Sequence, residues 1–477
     1  MGNQFSDNSI PLIVDLDGTF INTDLLYEGI VSLVKKKCLY IFLLLPWLMK
    51  GKAHLKNKVS GIAQINLELL PYNVELLEFL QKESDKGRKI ILATASPMHY
   101  ALEISKIHPI FNEVYGTNET NLKGKNKLKI LIENFGEKKF DYIGNSNSDL
   151  IIFASSRYSY LVNASTSLKN NTKRISNLKS IWSSKKGFLF NLLKAIRPYQ
   201  WVKNLLVFVP LITAHKFHST HLILQTFYAF IAFSFVASSG YIINDLLDLN
   251  SDRSHPRKRF RPLASGQLSI LSGIIFSLVL LSGGLYIATR LSFLFFIILF
   301  SYFIVSLSYS LFFKKAVLFD VFILALLYSI RVFAGGEVIG VELSFWLIAF
   351  STLIFLSLAF VKRYSELMRL DNNSGLISRG REYFLEDLHL LQVMGIVSGF
   401  CSVIVFSLYI DSPEVAFLYS HPKALWSISL LFLFWINRIW LITIRGKMTD
   451  DPIIFAAKDI TSYCIFFLVG LILFLSI

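Results

Sequence analysis

Cysteine is scarce in this chain: three in 477 residues, Cys38, Cys401 and Cys464, far apart and with Cys464 inside an apolar run. That excludes a disulfide framework and a cysteine-ligated metal site. The opening residues, MGNQFSDNSIP, lack both a basic start and an apolar signal core, so no cleaved signal peptide is expected. Met1-Gly2-Asn3-Gln4-Phe5-Ser6 fits a myristoylation pattern, which in a bacterial chain is read as chance. Acidic residues are outnumbered, 33 against 48 lysines and arginines, for a formal net charge of +15. A balance of that sign admits nucleic acid, anionic lipid or phosphorylated substrates, and the position of the charges decides among them. What the chain has in excess is apolar: 53% of residues are hydrophobic and 42 are Phe, concentrated after residue 196. That is too apolar for an ordinary soluble protein.

Residues 1–165 read as a soluble α/β domain. Short apolar runs ending in polar, turn-prone clusters recur at 11–14, 89–94 and 140–143, with helical stretches between them. This alternation predicts a parallel sheet with its site at the strand C-termini, under a small helical cap at about 25–80. Residues 166–193, rich in Ser, Lys and Asn, are expected to be a basic linker. From 194 to 477 the chain reads as an all-α membrane domain. A spanning helix needs about 20 mostly apolar residues. Nine candidates stand near 198–215, 221–246, 268–289, 291–312, 317–336, 343–361, 389–410, 422–443 and 459–477.

Lysine and arginine fill alternate loops. Arg253, Arg257, Lys258, Arg259 and Arg261 follow the second candidate, and Lys314 and Lys315 the fourth. Lys362, Arg363, Arg369, Arg379 and Arg381 follow the sixth, and Arg445, Lys447 and Lys458 the eighth. Cationic loops stay in the cytoplasm. The pattern predicts a bacterial inner-membrane protein with a cytoplasmic N-terminal domain and its C-terminus outside. No nucleic-acid partner is expected, because the basic residues sit at membrane-edge loops and beside an acidic motif. The apolar stretch 39–49 is only eleven residues long, contains Pro46 and cannot span. A buried helix of the cap is expected there, with a helix resting on the bilayer as the alternative.

Asp245, Asp248 and Asp252, three and four residues apart, fall on one face of a helix. Three carboxylates there repel, and near a membrane they are costly unless a cation binds them. Hard oxygen ligands suit Mg²⁺, which shares its shell with substrate phosphates. A solvated loop at a helix end is the bland alternative. It leaves unexplained the basic run that follows, with Arg257, Lys258, Arg259 and Arg261. Such cations beside a carboxylate–metal cluster form a phosphate-holding arrangement. A second group comprises Tyr309, Lys314, Asp320 and Arg331, the last eleven residues after Asp320 and on the same side of its helix. An Asp and an Arg in one span are functional by default, and a structural ion pair is the alternative. Lys203, Asn204, Lys362 and Arg363 complete the inventory, although snorkelling explains some of the cations, Lys362 in particular. All lie near cytoplasmic ends of candidate spans, where they can face one cavity.

NDLLDLNSD followed by HPRKRFRPLASG, with an Asp-bearing fifth span, resembles the UbiA-type intramembrane prenyltransferase superfamily over 194–477. RPYQWVKNLLVF, YSLFFKK with its later Asp, LSLAFVKRYSEL and TDDPIIFAAKD narrow the resemblance to the polyprenyl-phosphate phosphoribosyltransferase branch. Aromatic-substrate members carry a second motif, DxxxD, where this chain has Asp320 and then Leu324. The resemblance implies nine spans and transfer of phosphoribose from phosphoribosyl pyrophosphate to a polyprenyl phosphate. Asp245, Asp248 and Asp252 would hold Mg²⁺, assisted by Asn244, and Asp320 would serve the second motif. Arg257, Lys258, Arg259 and Arg261 would hold donor phosphates, and Lys203, Lys362 or Arg363 the lipid phosphate. Transfer of a prenyl group to an aromatic acceptor stays open, as does an idle membrane domain anchoring a phosphatase.

Val14-Asp15-Leu16-Asp17-Gly18-Thr19 resembles the haloacid-dehalogenase-like (HAD) phosphatases. The resemblance makes Asp15 the nucleophile and Asp17 the acid and base. Thr94 matches the hydroxyl signature and Lys127 the lysine, and Asp15, Asp17 and Asp149 would hold Mg²⁺. Asn145 replaces the first acid of the fourth signature, so both a working phosphatase and a degenerate docking domain remain open. If active, its substrate would be the 5-phosphate of the lipid-linked phosphoribose.

Overall fold

A computed structural model describes residues 9–118, 121–183, 187–371, 382–449 and 451–477. The myristoylation-like start and the loop residues Arg379 and Arg381 lie outside them. The chain forms two compact units: Met1–Ile196 with Tyr241–Phe276, and Arg197–Gly240 with Ser277–Ile477. The segment bearing the acidic motif and its basic tail thus belongs with the N-terminal unit.

Leu12-Ile13-Val14 and Ile90-Ile91-Leu92-Ala93 are apolar and buried without alternation. Strands covered on both faces pair in parallel. Six do so here: β1 (Leu12–Val14), β2 (Ile90–Pro97), β3 (Glu113–Thr117), β4 (Asp141–Gly144), β5 (Tyr158–Val162) and β6 (Asn177–Trp182), in the order β3-β2-β1-β4-β5-β6. Every pairing is parallel. Leu12, Val14, Leu92 and Ile143 feed one core, and Ile13, Ile91, Ala93 and Tyr142 the other. The order reverses at β1, between β2 and β4. The crevice at the C-terminal ends of these strands is where such a sheet binds ligands.

The expected linker is part of this unit. Thr166–Ile175 is a helix whose cap, Ser165, accepts from the Leu168 amide at 3.2 Å, and β6 pairs with β5. An edge strand with one wet face has the polar composition that made 166–193 look like a linker. Trp182 on that strand stacks over Tyr160 at 5.8 Å.

Three helices form the cap: α1 (Leu25–Lys36), α2 (Ile41–Met49) and α3 (Lys52–Ile62). Asp24 starts α1 by accepting from the Leu26 amide at 2.9 Å. Leu33, Leu55 and Val59 make a small separate core, with Tyr40, Leu44 and Trp47 of the α2 region packed against it. The cap ends before α4 (Val74–Asp85), whose Leu76 and Leu80 join the sheet core. Burial of 39–49 is overturned. No residue of α2 is buried, and Phe42 and Met49 are 74% and 82% exposed. The small cap core is too narrow to cover more than one face.

The second unit is helical. Seven helices are long and apolar enough to cross a membrane: Thr220–Leu247, Ile270–Leu291, Phe293–Leu311, Phe319–Val338, Phe345–Arg369, Asp387–Ile410 and Pro422–Ile444. The first and second of these straddle the division between the units. The chain is therefore a multi-pass membrane protein. Two of the nine expected spans fall short among the described residues. Residues 198–215 form a 3₁₀ stretch, Pro198–Phe208, and a five-residue helix, Val209–Thr213. Pro198 and Pro210 each remove an amide donor there. Ile460–Ser476 is apolar but only 17 residues long.

Asp141, wholly buried at the start of β4, accepts from Arg157 Nε and Nη2 at 2.9 and 2.8 Å and pairs with buried Arg88. Removing one partner of a buried ion pair costs about 3 kcal/mol. Arg88→Leu is expected to lower hydrogen-exchange protection of β1 and β4 roughly a hundredfold, measured by mass spectrometry on the full chain.

Candidate functional site

The first candidate site lies at the C-terminal ends of β1, β2 and β4. Asp15 directly follows β1, and its Oδ1 accepts from Lys127 Nζ at 2.7 Å. Asp17 Oδ1 accepts from the Leu25 amide at 3.0 Å, and Oδ2 from Ser96 Oγ at 2.6 Å. Thr94, fully buried in β2, accepts from the Ser96 amide at 3.0 Å. Asp149 accepts from the Ser146 amide and hydroxyl at 3.1 and 2.9 Å. The Tyr142 hydroxyl lies between Lys127 (3.1 Å) and Asp149 (3.4 Å). The four motifs, scattered over 135 residues from Asp15 to Asp149, are thereby brought to one end of the sheet.

Burial, reinforced by Asp149 and opposed by Lys127, pushes the Asp15 carboxyl up to about 6. Burial and then Asp24 push Asp17 up to about 6 as well, despite the Ser96 hydrogen bond. Burial works against the Lys127 ammonium, but Asp15 and Asp149 hold it above its ordinary range. Two carboxyls raised towards neutrality in one crevice are groups able to serve as nucleophile and as acid and base. Gly18 sits at φ +74°, and a Cβ there would lie 2.0 Å from Asn145 Nδ2. The glycine keeps the Asn145 amide against the Asp17 turn. Two buried carboxylates, Asp15 and Asp149, linked through Lys127 and the Tyr142 hydroxyl and with an amide nearby, fit Mg²⁺ in chemistry. Sequence reasoning missed Ser96 and Tyr142, which carry no local signal. It also missed Lys56 of the cap, which donates to the Ala95 carbonyl at 2.7 Å.

The second group is the acidic motif, in the same compact unit. The shared helical face is interrupted: the helix ends at Leu247, Asp248 lies at φ −101°, ψ 14°, and Leu249–Arg253 begins a short helix. Asp245 and Asp252, both buried, still converge, because Arg261 Nη1 donates to Asp245 Oδ1 at 3.0 Å and to Asp252 Oδ2 at 2.7 Å. Asp248 turns towards Lys35 of α1, 3.6 Å away. Among the described residues no three His, Cys, Asp or Glu side chains converge as a metal-ligand group. The donors nonetheless fit Mg²⁺: two buried carboxylates share a guanidinium that a dication can displace, and the buried Asn244 Oδ1 has no hydrogen-bond partner. Arg257, Lys258 and Arg259 point outward on an exposed turn, Lys258–Phe260.

Glu28 of α1 ties the cap to this motif. Its carboxylate is buried, accepts from Thr23 Oγ1 at 2.6 Å, and takes Arg253 Nη2 and Nη1 at 2.6 and 3.1 Å. Arg253 Nε donates to the Ala264 carbonyl at 3.0 Å. Arg253 adjoins Asp252 in sequence, so the anchor and the motif share a turn.

In the helical unit Asp320, fully buried, pairs with Arg363 and accepts from the Tyr383 hydroxyl at 2.6 Å. Arg363 also pairs with Glu366 and donates to Tyr309 Oη at 3.3 Å. Arg331 does not pair with Asp320. Its Nε donates to Asn204 Oδ1 at 2.8 Å and its Nη2 to Tyr302 Oη at 2.8 Å. Asn204 donates in turn to Ser234 Oγ at 3.0 Å. Lys203 is ion-paired with Asp451, which sequence reasoning quoted within TDDP but did not single out. Lys314 lies half-buried on the turn Phe313–Lys315. Lys362, half-buried, makes no side-chain hydrogen bond among the described residues.

The model of the UbiA prenyltransferase family matches residues 205–458, more than half of the chain. The chain is 33% identical over 96% of its length to uncharacterized protein y4nM of Sinorhizobium fredii, covering 89% of that protein. It is 29% identical to decaprenyl-phosphate phosphoribosyltransferase of Mycolicibacterium smegmatis, over 57% of this chain and 88% of that protein. Among solved structures, a UbiA homolog from Archaeoglobus fulgidus bound to GPP and Mg²⁺ is 17% identical, covers 59% of this chain and 99% of its own, and aligns with a TM-score of 0.46.

Glu28→Gln leaves the Arg253 guanidinium buried with its anion gone, at a cost of about 3 kcal/mol. Faster hydrogen exchange over residues 249–266, with β1 unchanged, is the expected result. An exchange pattern identical to the parent would mean that the ion pair does not hold the motif.

Proposed function

The chain belongs to the UbiA prenyltransferase family, and from that premise we propose that it transfers phosphoribose from phosphoribosyl pyrophosphate to a polyprenyl phosphate. The observation that carries this reading is the buried Asp245–Arg261–Asp252 cluster with the unpartnered Asn244 oxygen, followed by an exposed Arg257-Lys258-Arg259 turn. Asp245, Asp252 and Asn244, with Asp248, would hold Mg²⁺, which neutralises a diphosphate leaving group. The exposed cations of the turn suit the remaining phosphate of a phosphorylated sugar.

In this reading a phosphate oxygen of the lipid forms a bond to the anomeric carbon as the bond to diphosphate breaks. Diphosphate departs with the electron pair. No general base is required, because the nucleophile is already an anion. Lys203 and Arg363 are already neutralised by Asp451 and by Asp320 and Glu366, so they serve as positioning groups. Lys362 is the better candidate for the lipid phosphate. Absence of a carboxylate at Leu324 favours this reaction over prenyl transfer to an aromatic ring. The reading includes the nine-span plan, with 198–215 as a broken element and Ile460–Ser476 as a short one. It also includes a cytoplasmic N-terminal unit and an outer C-terminus.

A second activity rests on a separate observation, the placement of Asp15, Asp17, Lys127 and Ser96 at the strand ends. The sheet unit would hydrolyse the 5-phosphate of the lipid-linked product. Asp15 would attack phosphorus while Asp17 protonates the departing sugar oxygen. Asp17 would then take a proton from the water that cleaves the acyl phosphate. Asp15, Asp149 and Asn145 would hold the Mg²⁺ that screens the phosphate charge. Consecutive sites on one chain raise the local concentration of the intermediate.

Supplied with polyprenyl phosphate, phosphoribosyl pyrophosphate and Mg²⁺, the purified chain is expected to release diphosphate and form a lipid-linked sugar. Asp245→Ala should lower this at least about a hundredfold. Activity only with a prenyl diphosphate and an aromatic acceptor would shift the assignment to prenyl transfer, and no transfer at all to an idle anchor. Asp15→Asn should leave transfer intact and halt conversion of phosphoribosyl lipid to ribosyl lipid. Ribosyl lipid accumulating at the parent rate in that variant would remove the hydrolase assignment. Asn145→Asp adds a carboxylate beside the Asp17 turn and should tighten Mg²⁺ binding in an Asp245→Ala background, read by calorimetry.

A further inference from the structure

The most exposed apolar feature of the sheet unit is α2. Its outer side carries Phe42, Leu45 and Met49 at 74%, 65% and 82% exposure. These residues recur at helical spacing and form one stripe. Side chains on the helices long enough to cross a membrane are exposed to the same degree, such as Phe345 at 74% and Leu430 at 70%. The opposite side of α2 is already used, since Leu44 and Trp47 pack on the small cap core. The stripe is therefore not a core face left open.

Charge identifies what covers it. From Gly29 to Leu67 there is no acidic residue, whereas lysines stand at 35, 36, 37, 50, 52, 56 and 58. Those at 36, 37, 50, 52 and 58 are exposed on both flanks of α2. A second copy of the chain would bring lysine against lysine. An anionic bilayer surface takes both the apolar stripe and its cationic flanks. Position agrees. Lys35, at the end of α1 just before α2, reaches Asp248, which directly follows the apolar helix Thr220–Leu247. The start of α2 is thereby held near the end of a spanning helix, at the level of a membrane interface.

We propose that α2 lies in the headgroup region of the membrane, its Phe42–Leu45–Met49 stripe among acyl chains and its flanking lysines on anionic lipid phosphates. The interfacial helix is part of the cap over Asp15 and Asp17. It would therefore bring that site to phosphate esters that never leave the bilayer. This last step rests on the hydrolase reading above, whereas the membrane contact does not.

The test uses the full chain with Cys38, Cys401 and Cys464 changed to serine, reconstituted one chain per lipid nanodisc so that a second copy is absent. A nitroxide is placed at Phe42→Cys, at Leu430→Cys as the lipid-facing reference, and at Glu103→Cys as the aqueous one. In discs containing phosphatidylglycerol the label at 42 is expected to behave like that at 430: open to oxygen and shielded from a water-soluble nickel chelate. In discs of phosphatidylcholine alone its nickel accessibility should rise. A label at 42 that matches 103 in both lipids overturns the proposal, and leaves a second copy or an acidic protein as the occupant. No difference between the lipids removes the anionic headgroup from it. A paired variant, Phe42→Asp with Leu45→Asp, should slow hydrolysis of the bilayer-borne phosphoribosyl lipid at least tenfold while leaving p-nitrophenyl phosphate turnover unchanged. Equal loss on both substrates would mean a damaged cap. No turnover of either by the parent would defeat the hydrolase reading while the spin-label result stands.

Discussion

A buried carboxylate or guanidinium without a partner costs several kcal/mol, and the placement of the charged side chains in both units answers to that constraint. Glu28 and Arg253 illustrate it most directly. Each is buried, each lies in a segment that would otherwise be mobile surface, and neither is tolerable alone. Their pairing makes the cap of the α/β fold and the turn after Asp252 one structural element. The same requirement draws Arg261 between Asp245 and Asp252, and Arg363 onto Asp320. In each cluster a guanidinium offsets the buried carboxylates.

Two candidate sites share the unit built on the parallel sheet. The acidic motif belongs to the UbiA-type part by sequence, yet it packs in the unit built on the parallel sheet. Asp248 faces Lys35 of the cap. The cap is thus tied to the acidic motif: its first helix supplies Glu28 to Arg253 and Lys35 to Asp248.

Some of the architecture was legible from local pattern. Unalternated apolar runs announced parallel strands, and DxDGT at the end of the first located the crevice before any topology was known. NDLLDLNSD with its basic tail marked the acidic centre. Other expectations failed for physical reasons. Residues 166–193 looked like a linker because the edge strand Asn177–Trp182 leaves Asn177, Lys179 and Ile181 exposed. Residues 39–49 looked like a core helix because composition does not say which side of a helix has a neighbour. The alternative of an Arg331–Asp320 ion pair is not realised, because Asn204 and Arg363 come from elsewhere in the chain and satisfy them separately.

What the amino-acid order determined by itself was local: unalternated apolar runs for parallel strands, long apolar runs for membrane helices, and acidic spacings that mark candidate sites. Only the tertiary structure decided the partners. Whether Arg261 holds two aspartates or a phosphate, whether Lys203 is spent on Asp451, and whether Glu28 meets Arg253 across 225 residues are long-range contacts. Their energy is the attraction of opposite charges set against the cost of desolvating both, and no local stretch of sequence carries that information.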